Sequence, residues 1–221
     1  MDKIVLFFEL GYVFNIVGIL ILIFFIGQKR HIEGLSFYTQ LLFAIAAYAK
    51  IFYFPHTVLR DYWFCWAEFL LSLVLSAFLM LQMKKYNRIS TSPEKNTFDW
   101  RLIMVVSAVL AAVSNYEKAY PFEWSQFAIR FSIITEAIGL LPQLKMMRQE
   151  QFVQKFIGYY LVSISASRLC RVLFWVFQIT SNLDGDTYYT LLLADSLYIF
   201  LTADFVYNFF KHKNQNLIPY N

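Results

Sequence analysis

Six apolar runs, each close to the length a helix needs to cross a bilayer, constrain this chain more than any other feature. They cover residues 4–26, 35–54, 62–83, 122–141, 156–178 and 187–210. The hydrocarbon core of a bilayer takes about 20 mostly apolar residues per helix. Only 15% of the 221 residues are charged and 59% are apolar, more apolar surface than a soluble chain of this size can bury. In lipid each backbone N–H and C=O must be paired within the protein, so such runs predict an all-α integral membrane fold. Disordered, collagenous and disulfide-scaffold architectures are excluded by the same balance. Cys65 and Cys170 both lie inside apolar runs, which points to no disulfide framework.

A seventh segment, residues 102–115, is weaker. Its apolar stretch Leu102–Val113 gives way to Ser114 and Asn115, then to Glu117 and Lys118. Charge decides whether it counts, because Lys and Arg collect in short loops on the cytosolic or matrix side of a membrane. With seven spans, one side carries Lys3, Arg60 and Lys118. The other carries Lys29, Arg30, Lys84, Lys85, Arg88, Lys95, Arg101, Lys145, Arg148, Lys155, Lys211 and Lys213. That is 3 against 12, and four bases within spans complete the 19; with six spans the split becomes 7 against 8. Seven spans are therefore expected within a single domain of residues 1–221, followed by a polar tail over 211–221. The N-terminus is expected on the lumenal-type side and the C-terminus on the positive side. The first run is too long for a secretory signal and lacks a small-residue cleavage pattern after it.

Ionisable residues within spans usually face the bundle interior, in pairs or around a polar cavity. Here they are Glu9, Lys50, Glu68, Arg130, Glu136, Arg168, Arg171, Asp195 and Asp204. Glu9, Glu68 and Arg130 lie near span ends, where a charged head can reach the interface. Lys50, Glu136, Arg168 and Asp204 sit deeper and form a candidate polar cluster or ligand site, joined by Arg171, Trp175 and Asp195. Arg168, Arg171 and Trp175 share one helical face, at spacings of three and seven residues. Such a set can hold a carboxylate by charge-assisted hydrogen bonds. That carboxylate can come from a ligand, from Asp195 or from Asp204, and spacing alone does not choose.

Pro142 and Gln143 close the fifth span, as a kink or as a plain terminator at the membrane surface. Trp63, Trp66, Trp100 and Trp124 fall near span ends and read as an interfacial belt. Nothing supports catalysis. His31, His56 and His212 lie in loops or the tail at no metal-ligand spacing, and there is no phosphate loop or nucleophile elbow. No metal, cofactor or nucleic-acid partner is expected; the net charge of +4 is not gathered into a soluble basic face.

Several segments resemble the endoplasmic reticulum lumen protein-retaining (KDEL) receptors. Gly34-Leu35-Ser36, Gln40 and Leu41-Leu42-Phe43-Ala44 are similar to that family's second helix. Ser132-Ile133, Glu136 and Leu141-Pro142-Gln143-Leu144 resemble its fifth, Tyr160-Leu161, Arg168 and Trp175 its sixth, and Ala203-Asp204-Phe205 its seventh. The resemblance implies a fold related to PQ-loop and SWEET transporters: two three-helix repeats joined by an inversion helix, here the weak fourth span. A trace of such a repeat is that Gln40 to Lys50 and Gly158 to Arg168 both place a base ten residues on. It also implies a lumen-facing cavity that takes a C-terminal retrieval tetrapeptide, with arginines for its carboxylates and a histidine for pH dependence. Lys50 stands where an arginine is expected, Phe8 and Gln178 where two more are, Asn15 for the histidine, Tyr53 for an aspartate, and Ser167 and Arg171 for tyrosines.

Three functions follow as expectations. The lost ligand residues and an aromatic content of 20% favour a non-catalytic accessory subunit of a large membrane complex, with the mitochondrial inner membrane as its setting and other subunits and lipids as partners. The alternative is a divergent retrieval receptor of the ER and Golgi membranes that binds C-terminal tetrapeptides. A SWEET-like transporter of a small polar solute is a weaker third, resting on fold analogy.

Overall fold

Lipid-facing backbone has no water to bond to, and the apolar runs accordingly coil into helices whose amides pair along their own axes. The computed structural model describes residues 2–30, 32, 34–53, 63–87, 99–116, 124–150, 152–180, 186–212 and 217–219. The helices are α1 (Asp2–Lys29), α2 (Phe37–Ala49, extended by a 3-10 turn Lys50–Phe52), α3 (Trp63–Asn87), α4 (Trp100–Tyr116), α5 (Trp124–Ile138), α6 (Leu141–Glu150), α7 (Lys155–Thr180) and α8 (Asp186–His212). Among the described residues five stretches are long and apolar enough to cross a membrane: Leu6–Lys29, Cys65–Tyr86, Trp124–Arg148, Lys155–Thr180 and Tyr189–His212. Phe37–Phe52 and Trp100–Asn115 are apolar but shorter. The protein is an all-α, multi-pass membrane protein. One departure from pure helix is a two-stranded ladder: β1 (Phe152–Gln154) pairs antiparallel with β2 (Leu217–Pro219), Val153 opposite Ile218. Part of the tail is thus tied by backbone hydrogen bonds to the start of α7, a pairing its composition did not signal. His31 and His56 lie outside the described residues, and so does most of the loop between α3 and α4.

The packing has an internal symmetry. In the first three helices, α3 packs against both α1 and α2; in the last three, α8 packs against both α5 and α7. Across the middle, α1 lies along α7 and α2 along α5. The first helix of each unit therefore meets the second of the other, and α4 rests mainly on α5.

The α1–α7 contact explains two glycines. Phe8, Gly11, Gly18, Leu22 and Phe25 form a buried stripe on α1. A Cβ on Gly18 would stand 2.9 Å from Ile164 Cδ1, and one on Gly11 3.2 Å from the Ser167 carbonyl oxygen. Small residues let membrane helices approach until backbones nearly touch, which is where their packing energy comes from. The larger apolar core gathers Leu22, Phe25, Ile26, Met83, Leu140, Met147, Ile157 and Phe205 at the end of the bundle where α1 and α3 finish and α7 begins. A smaller one, with Phe8, Cys65, Phe69, Phe174 and Trp175, closes the opposite end.

Candidate functional site

The fifth span does not end at the sequence pair Pro142-Gln143, but it is interrupted just ahead of it. The fifth span breaks at Gly139–Leu140, before the proline, and resumes as α6. Pro142 falls in the first turn of α6, where a missing N–H leaves no helical bond unmade. Gly139 permits the break: a Cβ there would meet the Thr135 carbonyl oxygen at 2.5 Å and Leu42 Cβ at 3.1 Å. Gln143, fully buried, reaches across to the start of α2. Its Oε1 accepts from Ser36 N at 2.7 Å, its Nε2 donates to Gly34 O at 2.8 Å, and its own N–H donates to Thr39 Oγ1 at 3.0 Å. Ser36 is the N-cap of α2, accepting from Thr39 N at 3.2 Å, and Gly34 turns the chain into it at φ 80°. Gln143 is thus a latch between α6 and α2.

At the other end of the bundle lie the charges. Trp175, Arg171 and Arg168 on α7 all reach Asp195 of α8, which is 1% exposed. Arg168 Nη1 donates to Oδ1 at 2.9 Å, Arg171 Nε to Oδ2 at 3.0 Å and Trp175 Nε1 to Oδ2 at 2.9 Å. Glu136, from α5, accepts from Arg168 Nη2 at 2.7 Å and lies 3.5 Å from Arg171 Nη1. Arg168 also lies over the Tyr198 ring, 4.9 Å from its centroid. Lys50 pairs separately with Glu68 of α3 at 3.8 Å. Each three-helix unit therefore sets a base on its second helix against an acid on its third. Three bases face three acids, so the cluster is neutral overall, as a buried group must nearly be.

A cavity of about 50 Å³ lies between the two units. Asn15, Gln40, Lys50, Glu136, Tyr160 and Arg168 supply its polar wall. Gln40 Nε2 donates to Tyr160 Oη at 2.9 Å across it. Its volume suits a few ordered waters and is well below the roughly 300 Å³ at which ligand pockets begin.

Of the residues picked out in the sequence, Glu136, Arg168, Arg171, Trp175 and Asp195 converge, and Lys50 joins Glu136 and Arg168 at the cavity wall. Asp204 does not belong. It is exposed on α8, with Asn208 Nδ2 donating to it at 3.3 Å. Nine residues separate it from Asp195, about two and a half helical turns, which puts it on the opposite face of the helix. Two residues assigned to the interface are interior. Glu68 is 6% exposed and holds Lys50. Arg130, also 6% exposed, donates to the Ser114 carbonyl and approaches Asn115 Oδ1 at 3.5 Å, a cation at the C-terminal end of α4. The clue to Glu68 was the repeat: if Arg168 finds its acid on the next helix, so should Lys50. Phe8, in the place of an expected arginine, packs on Phe174 and Trp175 with ring centroids 4.6 and 6.3 Å away.

A model of the ER lumen protein retaining receptors matches residues 31–178, two thirds of the chain. The chain belongs to this family. It is 27% identical over 198 residues to ER lumen protein-retaining receptor erd-2.2 of Caenorhabditis elegans, covering 85% of the chain and 89% of that relative. The ER lumen protein-retaining receptor of Saccharomyces cerevisiae is 24% identical over 209 residues, covering 87% and 92%. That of Dictyostelium discoideum is 26% identical over 215 residues, covering 94% of each. Family members are receptors and not enzymes.

These matches overturn the expectation of an accessory subunit in a mitochondrial complex. That expectation read substitutions in the ligand site as loss of the receptor class. The similarity instead runs along nearly the whole length of proteins named as retaining receptors. Of the substituted positions, Asn15 and Lys50 line the cavity, Phe8 enters an aromatic cluster, and Arg171 carries a charge that Asp195 meets.

Proposed function

We propose that this protein is a divergent retrieval receptor, which binds the C-terminal carboxylate end of lumenal peptides between its two three-helix units and works in ER and Golgi membranes. One observation carries the reading: the cationic groups Lys50 and Arg168 line a buried cavity between the units, and Lys50 sits on the side where α2 ends and α3, α5 and α8 begin. The 3-to-12 charge bias supports a lumenal placing of that side. A cavity of about 50 Å³ admits no tetrapeptide as it stands, so binding includes a parting of the units on that side.

The test is equilibrium binding of labelled peptides to the purified full chain in detergent, comparing a free C-terminal acid with its amide. The acid should bind and the amide should lose most of the affinity. Lys50→Met should weaken acid binding by roughly tenfold to a hundredfold, the worth of one charge-assisted hydrogen bond at about 1.5–3 kcal/mol. Equal binding of acid and amide, or none by either, refutes the proposal.

A further inference from the structure

Donors on α7 converge as they would on a bound anion. Arg168, Arg171 and Trp175 send three N–H groups to one carboxylate, at 2.9, 3.0 and 2.9 Å. Two guanidinium groups and an indole on successive turns of one helix make a complete carboxylate receptor, with both oxygens satisfied. The carboxylate in it belongs to the protein. Asp195 enters from α8 and is 1% exposed. Arg168 belongs to this cradle and to the wall of the central cavity at once, and its Nε has no hydrogen-bond partner among the described residues. A carboxylate arriving in the cavity thus meets a guanidinium that already holds two others, Glu136 and Asp195.

We infer that the Arg168–Arg171–Trp175 cradle is a carboxylate-binding site kept filled by Asp195, and that Asp195 acts as a built-in competitor which weakens the binding of carboxylate ligands in the adjoining cavity. With Asp195 in place the three bases Lys50, Arg168 and Arg171 face three acids. Without its charge the cluster carries one net positive charge in a largely buried site, where an anion is favoured. The inference rests on the receptor reading only for the identity of the natural ligand; the cradle can be tested without it.

The first variant is Asp195→Ala, purified as the full chain and probed with sodium formate, the smallest carboxylate. Its unfolding midpoint should fall below the native one. Formate should restore at least half of that loss along a saturating curve, while sodium chloride at equal ionic strength and formamide should not. Adding Arg171→Leu to the variant should abolish the formate response. A response to formate no larger than to chloride, or one that survives Arg171→Leu, overturns the cradle. If Asp195→Ala does not fold, Asp195→Asn keeps the shape without the charge, and acid-ended peptide should bind it about tenfold tighter than the native chain; unchanged or weaker binding overturns the competition. Formate rescue together with no peptide binding by any form would uphold the cradle and refute the receptor reading alone.

Discussion

Replacing Gln143 tests how the two halves of the molecule are joined. Its side chain is fully buried and makes one bond to Ser36 N at 2.7 Å and one to Gly34 O at 2.8 Å. Interhelical hydrogen bonds in membrane proteins average only about 0.6 kcal/mol, because the unfolded chain finds other partners in the membrane. Two such bonds would give little more than 1 kcal/mol. Here, however, both partners are backbone groups fixed at the start of α2, and Ser36 is fully buried. With the amide gone, an N–H and a C=O are left without partners, at about 1–3 kcal/mol each. We therefore expect Gln143→Leu, which fills the space and removes only the hydrogen bonds, to cost about 2–6 kcal/mol. Gln143→Ala should cost about 1 kcal/mol more for the void it leaves. For a chain of this size the Gln143→Leu loss corresponds to a midpoint lowered by about 4–24 °C. The protein carries its own reporter, because Cys65 is fully buried on α3 and free. In a Cys170→Ser background, a thiol-reactive fluorophore signals unfolding only when Cys65 is uncovered. Asp204→Asn, on the exposed face of α8, is the control and should shift the midpoint by less than 1 °C or so. If Gln143→Leu moves the midpoint no further than this control, Gln143 is not a latch.

Three further outcomes follow from the packing. Gly18→Leu should lower the same midpoint by the equivalent of about 1–3 kcal/mol, because a Cβ there stands 2.9 Å from Ile164 Cδ1, and Ile164→Ala in the same chain should recover part of the loss. Arg130→Met should speed hydrogen exchange in the last turn of α4, where Arg130 donates to the Ser114 carbonyl, and leave exchange in α7 unchanged. Phe8→Arg, which returns the residue expected from the family, should destabilise by about 3 kcal/mol or more, since it puts a charge among Phe174, Trp175 and Tyr12; a neutral result would mean that the aromatic cluster opens readily.

Most of the helical framework was legible because a bilayer imposes one length and one mean polarity on every span. Helical spacing also put Arg168, Arg171 and Trp175 on one face, and they do act together. Spacing could not say which acid they meet. Periodicity fixes which residues share a face of a helix and leaves open what that face packs against. Asp195 and Asp204 therefore looked equivalent until α8 was docked on α7. The same gap hid Glu68, whose place near a span end suggested an interfacial carboxylate although α2 covers it. Gln143 was read with its neighbouring proline as part of a helix ending; its partners lie more than a hundred residues earlier in the chain. The functional misreading had another source. Missing ligand residues describe what a site no longer does, and carry no information about a new partner.

The two ends of the bundle are fastened by different means, and this bears on how the molecule can move. Around Gln143 the halves meet through neutral amide hydrogen bonds beside the larger apolar core, with the β1–β2 ladder tying the tail to the same end. Around Lys50 and Arg168 each half keeps its ion pairs to itself, Lys50 with Glu68 and Arg168 with Glu136 and Asp195, and the cavity lies between the halves. A carrier that passes solute across a membrane needs two doors of similar strength, opened in turn. On the proposed receptor reading the bundle would pivot at the first end and open at the second, a form suited to taking a ligand in and giving it back on the same side.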